Sequence, residues 1–139
     1  MPVITKRIHV STKANTDIVD LTPQVREIVN NSPLKDGQAT VFAPGATAGV
    51  STVEFEPGLL QDIPERLEAI APSRESYHHD MTWHDGNGHS HVRATFIGPS
   101  LTVPFVDKTL TLGTWQQIIL IDCDVPARQR DIVVQLIGE

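Results

Sequence analysis

The chain has 139 residues, of which 40% are hydrophobic and 20% are charged, and its formal net charge is −6. This length predicts one domain over residues 1–139, with a core large enough to need no disulfide or metal for stability. The negative charge disfavours nucleic acid as a partner. No apolar run is long enough to span a membrane. The lack of a signal-peptide pattern and the single cysteine predict a cytoplasmic protein.

The first part of the chain predicts strands around one short helix. Branched residues predict a strand over 2–12. Thr22 as an N-cap and Pro23 in the first turn predict a helix that begins there. Two further segments, over 39–44 and 46–55, have the composition of strands.

A second helix is predicted over 57–71, where apolar residues recur on one stripe. Pro64 lies inside it and is expected to kink or restart it, because its nitrogen donates no hydrogen bond.

The rest of the chain predicts strands only: one over 89–98, a hairpin that turns at Asp107-Lys108, and two apolar strands at the end. The expected fold is therefore α+β, a single compact domain with a mostly antiparallel sheet or sandwich of about seven strands and two helices. The two C-terminal strands are expected to be central or to form an oligomer interface.

The stretch DGNGHSHVR, from Asp85 to Arg93, is the most unusual part of the sequence. If it is a strand, alternate side chains share a face. One face would then carry a row of polar groups, and the other would carry only small residues. The polar row consists of Asp85, Asn87, His89, His91 and Arg93.

Five of the six histidines fall between positions 78 and 91. On a strand, His89 and His91 would converge on one metal ion or on one anion, and a third histidine could complete the site. Asp85 or Glu54 beside them would supply general acid–base chemistry. The alternative is a solvated sheet face, and His78 and His84 individually are expected at the surface.

Other polar residues are open to a structural or a ligand-binding interpretation. Gly45 to Gly49 could form a tight turn or let a phosphate approach the backbone. Ser100 could serve turn chemistry or donate to an anion. Arg128 and Arg130 could be solvated or pair with phosphate. Cys123, in an apolar run, is expected to be a buried small residue rather than a nucleophile.

Four strings, spread in order over residues 40–139, together resemble the YjbQ family, which is also described as secondary thiamine-phosphate synthase. They are TVFAPGATAGVSTVEFEPGLLQDI, DGNGHSHVRATFIGPSLTVPF, LGTWQQI and VVQLIGE. The resemblance implies a homotrimeric α+β protein that joins hydroxymethylpyrimidine diphosphate to thiazole phosphate and releases pyrophosphate. A divalent metal ion, zinc or magnesium, would normally assist such a displacement.

Carried onto this chain, the resemblance implies three groups of site residues. Catalytic roles fall to Glu54, His89 and His91. Metal binding falls to His79, His89 and His91. Binding of the phosphorylated substrate falls to Thr47, Asn87, Ser100 and Gln116. Arg93, from the polar row, is expected to join them as a charge partner.

One segment departs from the family pattern. Where many members read His-Thr-Thr-Ala, this chain reads Gly45-Ala46-Thr47-Ala48 and lacks the histidine. The alternative function is therefore a non-catalytic trimer that binds a metal or a phosphorylated ligand.

Overall fold

Two antiparallel sheets and four helices make up the computed structural model, which describes residues 1–139. The strands are β1 (Val3–Ser11), β2 (Asp17–Asp20), β3 (Gly37–Phe42), β4 (Ala48–Val53), β5 (Ser100–Val106), β6 (Thr109–Leu110), β7 (Gln117–Asp122) and β8 (Gln129–Gly138). The helices are α1 (Thr22–Asn31), α2 (Pro57–Ile70), α3 (His78–Trp83) and α4 (Gly88–Ile97). The predicted α+β class is confirmed, with four helices instead of two.

The last two strands of the chain organise both sheets. The larger sheet has the order β1-β8-β3-β5-β6, and the smaller has the order β2-β7-β4. Every pairing is antiparallel. The central position expected for the two C-terminal strands is therefore correct, because β7 and β8 each have a partner on both sides.

The core has two parts, on the two faces of β7. Ile118 and Leu120 point into the main core between the sheets and α1. Ile119 and Ile121 point the other way, against α2 and the end of α4. A strand that is buried on both faces has apolar residues at successive positions, which explains the run IILI in β7.

The predicted helices and hairpin are found close to their expected positions. The helix α2 continues through Pro64 without a second start. In α1, the Thr22 hydroxyl accepts a hydrogen bond from the Ile118 amide and so ties the helix to β7 instead of capping it. The turn between β5 and β6 lies at Asp107 and Lys108, both with positive φ, as a two-residue hairpin requires.

The segment predicted as a strand over 89–98 is the helix α4, and two short elements, β2 and α3, were not predicted. Two glycines lie where α3 is connected to α4. Gly86 has a φ of +62°, and a Cβ on Gly88 would lie 2.5 Å from the Tyr77 Cβ. These glycines allow α3 to fold back tightly against the start of α4. No helix is long and apolar enough to cross a membrane.

Candidate functional site

The HSH motif lies on α4, and this changes its geometry. Successive residues of a helix are rotated by about 100°, so His89 and His91 lie about 200° apart around the axis. The predicted convergence of both rings on one ligand, which assumed a strand, is therefore wrong. His91 shares a face with Asn87, four residues earlier, whereas His89 shares the opposite face with Arg93.

A cluster of two buried aspartates and their arginine partners lies beside the first of these faces, where β4, β7 and β8 meet. Arg130 donates from Nε and Nη2 to the two carboxylate oxygens of Asp122, at 2.7 and 2.9 Å. Its Nη2 also donates to Thr47 Oγ1 at 2.8 Å. Thr47 in turn donates to Asp124 Oδ2 at 2.9 Å, and Arg128 Nε donates to the same oxygen at 2.8 Å. We call these five residues the Asp–Arg cluster.

Asn87 joins α4 to the Asp–Arg cluster, because its Nδ2 donates to Asp124 Oδ1 at 2.8 Å. Burial alone would raise the pKa of Asp124. Hydrogen bonds from Arg128, Thr47 and Asn87 outweigh burial and hold the pKa below its ordinary value. Asp124 is therefore ionised at neutral pH, and it fixes both Thr47 and Asn87.

His91 and His79 form a pair of rings on the outer side of this face. Their centroids are 4.3 Å apart and the planes are tilted by 39°. His79 Nδ1 is shut off from solvent and has no hydrogen-bond partner. Asp85 Oδ1, at 3.8 Å, is too far away to accept a hydrogen bond from it.

A cavity of about 320 Å³ opens beside His91. We call it the Gly45 pocket; its lining residues are Gly45, Ala46, Ala48, His91, Ala94, Thr95 and Pro99. Gly45 has a φ of +134°, and a Cβ there would lie 2.9 Å from Arg130 Nη1. The guanidinium thus lies directly behind this wall, which explains why a side chain at position 45 does not fit the present arrangement.

The predicted metal ligands are rearranged by the fold. Donor atoms of His79, Asp80 and Asp85 lie within 4.8 Å of one another. Imidazole and carboxylate groups are suitable zinc ligands. His79 Nδ1 has no hydrogen-bond partner, so this nitrogen is available either as a ligand or as a donor. These three residues fit a divalent ion. His89 lies on the other face of α4.

Two further predicted residues lie in a separate cleft. Ser100 and Gln116 line a cavity of about 450 Å³ between β4 and β5. Gln116 Nε2 donates to Thr52 Oγ1 at 3.1 Å, and its Oε1 accepts from the Gly113 amide at 3.0 Å. This cleft is next to the Gly45 pocket but has different lining residues.

The remaining predicted residues are not grouped with His91. Glu54 is exposed beyond the end of β4. Arg93 is 3% exposed and forms an ion pair with Glu68 at 2.7 Å. Cys123 is buried, and burial raises the pKa of its thiol to about 12, so it is not a nucleophile at neutral pH. His78 and His84 are exposed, as expected.

Several residues that build the site were not identified from the sequence. Asp122 and Asp124 are two residues apart at and just after the end of the apolar strand β7. This pattern could have indicated buried, paired carboxylates. The sequence predicted that Arg130 is solvated or pairs with phosphate, whereas its side chain is 9% exposed and pairs with Asp122. Asp80 carried no signal, because its role depends on α3 folding back onto α4.

The chain is thus a small α+β protein with two antiparallel sheets, in which a pocket lined by His91 lies beside the Asp–Arg cluster. The family described as "UPF0047 protein YjbQ-like" matches residues 6–139, and the chain belongs to that family.

Relatives and solved structures agree with this assignment. A UPF0047 protein of Methanothermobacter thermautotrophicus is 34% identical over 100% of this chain and 95% of its own length. One from Archaeoglobus fulgidus is 37% identical over 93% of this chain and 98% of its own length. A YbjQ-like protein of unknown function from Sulfolobus solfataricus P2 superimposes with a TM-score of 0.94 and 36% identity, covering 99% of both chains.

Proposed function

We propose that the protein is a transferase of the thiamine-phosphate synthase type. The reaction would join hydroxymethylpyrimidine diphosphate to thiazole phosphate, with release of pyrophosphate. The proposal rests on a cavity lined by His91 and on three neighbouring side chains whose donor atoms are compatible with a metal ion. His91 lines the Gly45 pocket, and His79 packs on His91 and belongs to the His79–Asp80–Asp85 group.

Charge neutralisation is what this displacement most requires, because a diphosphate leaves from a benzylic-type carbon. The charged side chains of the Asp–Arg cluster already cancel: Asp122 and Asp124 oppose Arg128 and Arg130. A divalent ion held by His79, Asp80 and Asp85 would supply the missing positive charge when bound.

The residues around the pocket would bind and orient the ligand. His91 is half-buried and can donate a hydrogen bond to a phosphate oxygen. Thr47 and Asn87, already held by Asp124, keep the β4 and α4 walls at a fixed spacing. Gly45 lets a ligand approach the backbone closely at the mouth of the pocket.

The experiment combines a cellular and a purified assay. Expression should rescue a thiamine auxotroph that lacks its main synthase, and the purified protein should form thiamine phosphate from both substrates. His91→Ala should lower turnover by about 100-fold, whereas His78→Ala, an exposed histidine on α3, should not. Absence of both rescue and product would overturn the proposal.

The second candidate is a non-catalytic trimer that binds a phosphorylated ligand. Gly45 favours it, since no side chain at this position can take part in chemistry. In that case His91→Ala would abolish ligand binding in a protein that never shows turnover. Under the transferase proposal, the same variant reduces an activity measured beforehand.

We also propose that the chain assembles as a homotrimer. Large apolar side chains remain exposed on several parts of the chain, and assembly would bury some of them between subunits. They include Trp115 at 71%, Met81 at 71%, Trp83 at 69% and Phe96 at 67%.

A further inference from the structure

A third cavity, of about 220 Å³, lies on the face of α4 that carries His89 and Arg93. It is enclosed by the loop before β2, by α2 and by α4, and none of its seven lining residues is hydrophobic. We call it the His89 pocket. Its polar lining consists of Asn15, Thr16, Glu68, Ser73, His89 and Arg93.

Arg93 is fixed in the wall of this pocket. Its side chain is 4% exposed. Nε donates to the Ala71 carbonyl at 2.9 Å, Nη2 to Glu68 Oε2 at 2.7 Å, and Nη1 to Thr16 Oγ1 at 3.3 Å. A guanidinium has five N–H groups. Two of them are therefore left for another acceptor, on a side chain that is already immobilised.

His89 is the unsatisfied member of the pocket. The residue is 6% exposed, and its Nδ1 is shut off from solvent without a hydrogen-bond partner. The ring atom that remains for a ligand is therefore Nε2. Burial, and secondarily the charge of Arg93, lower the pKa of His89, so the ring is neutral at pH 7. A ligand hydroxyl would give Nε2 a hydrogen bond, while the buried Nδ1 stays unpaired.

Glu68 determines the sign of charge that the pocket accepts. Its carboxylate accepts hydrogen bonds from the Ser73 amide and hydroxyl and from Arg93, which together lower its pKa to about 2. Its negative charge cancels that of Arg93. The free groups that remain are mainly donors, namely the two Arg93 N–H groups, the Asn15 amide and the Thr16 hydroxyl.

A donor-rich pocket without excess positive charge suits a monovalent carboxylate better than a phosphate dianion. The fork of a guanidinium matches the two oxygens of a carboxylate. Apart from Pro64 the lining is polar, so there is little apolar surface against which a long aliphatic chain could pack.

We propose that the His89 pocket binds a short hydroxylated carboxylate, with the carboxylate on Arg93 and a hydroxyl on His89 Nε2. This site is independent of the proposed transferase chemistry, because it lies on the opposite face of α4 and shares no lining residue with the Gly45 pocket. The two proposals therefore succeed or fail separately.

The test is a titration of isotope-labelled protein with D-glycerate, followed through the ring signals of the histidines by NMR. The His89 signals should shift saturably below about 10 mM ligand, while those of His91 should not. Propionate, which lacks the hydroxyl groups, should bind about tenfold more weakly, because it leaves the His89 ring unpaired. Inorganic phosphate should cause no saturable shift.

Two variants test the assigned contacts. His89→Phe keeps the ring but removes its nitrogens, and Thr16→Val keeps the shape but removes the hydroxyl. Each should weaken glycerate binding about tenfold, whereas His91→Phe should leave it unchanged. Thr16 is only half-buried, so its variant remains informative if His89→Phe does not fold.

Three results would overturn the proposal: no saturable His89 shift in folded protein, tighter binding of phosphate than of glycerate, or wild-type affinity in the Thr16→Val variant.

Discussion

Asp124 is the residue on which the largest number of site contacts depend. It accepts hydrogen bonds from Thr47, Asn87 and Arg128 while it is 3% exposed. A buried carboxylate with several donors stabilises the fold only while it is ionised. The same residue therefore links the geometry of the Gly45 pocket to the acid stability of the protein.

We expect Asp124→Asn to lower the free energy of unfolding at pH 7 by about 2–3 kcal/mol, because it leaves Arg128 and Thr47 without their charged partner. The pKa of Asp124 is lowered by folding. Its contribution is therefore complete above the unfolded value near pH 4 and is lost as the pH falls through the lower folded value. In urea unfolding, the difference in the free energy of unfolding between variant and wild type should become smaller from pH 7 to pH 3.

Asp62→Asn is the control for this series. Asp62 is exposed on α2, and the variant should follow the wild type closely at every pH. A constant difference for Asp124→Asn across the whole pH range would contradict the assignment.

Thr16 has a strained backbone, with a φ of +70° that β-branched residues rarely adopt. Thr16→Gly and Thr16→Val both remove the hydroxyl, but only the glycine releases the strain. We expect the glycine variant to be the more stable of the two by about 1 kcal/mol or more in urea unfolding.

At Thr5, an exposed residue in β1 whose hydroxyl accepts a hydrogen bond from Gln135, the order should reverse. Valine is favoured over glycine in a regular strand. The same order of stability at both positions would show that Thr16 carries no strain.

At the scale of elements, α4 is held against β4 by a glycine. A Cβ on Gly49 would lie 2.5 Å from Ile97 Cγ2 and 2.7 Å from the Gly98 carbonyl oxygen. We expect Gly49→Ala to cost about 1–3 kcal/mol in chemical unfolding, because the backbone oxygen cannot move aside cheaply.

Gly113→Ala is the matched control, since the nearest atom to its Cβ would be 3.7 Å away. Adding Ile97→Ala to Gly49→Ala should recover only part of the lost stability, because the contact with the Gly98 carbonyl oxygen remains. Full recovery would mean that the Ile97 side chain alone limits the packing.

The same element shows where the sequence is insufficient. In α4, Val92, Ala94 and Phe96 alternate with polar residues, which is typical of a strand. The helix carries pockets on two faces, so it shows no single apolar stripe, and Asn87 provides no side-chain cap. By contrast, β7, β8 and α2 were predictable, because each satisfies one simple pattern of burial.

The candidate site was predictable in part. The histidine crowding located the correct region, since His79 and His91 do meet. The assignment of His89 and Arg93 to the same face as His91 failed with the strand period. The Asp–Arg cluster requires long-range contacts between β4, β7 and β8, which no local pattern contains.

For the whole molecule, the proposed homotrimer predicts a mass three times that of the 15.3 kDa chain. Light scattering during gel filtration should give this mass and retain it on dilution, because burial of exposed aromatic side chains would favour association. A monomeric mass at all concentrations would contradict the proposal.

The strand order also determines when the protein can fold during its synthesis. β1 and β3 do not pair with each other, since both pair with β8, and β2 and β4 likewise both wait for β7. At ribosomal rates of about 5–20 residues per second, β1, β2 and β4 remain unpaired for roughly 3–25 s until these partners emerge, whereas β3 can pair earlier with β5. Unpaired edges can associate with other chains during that time, so the nascent chain is more exposed to aggregation than the finished protein.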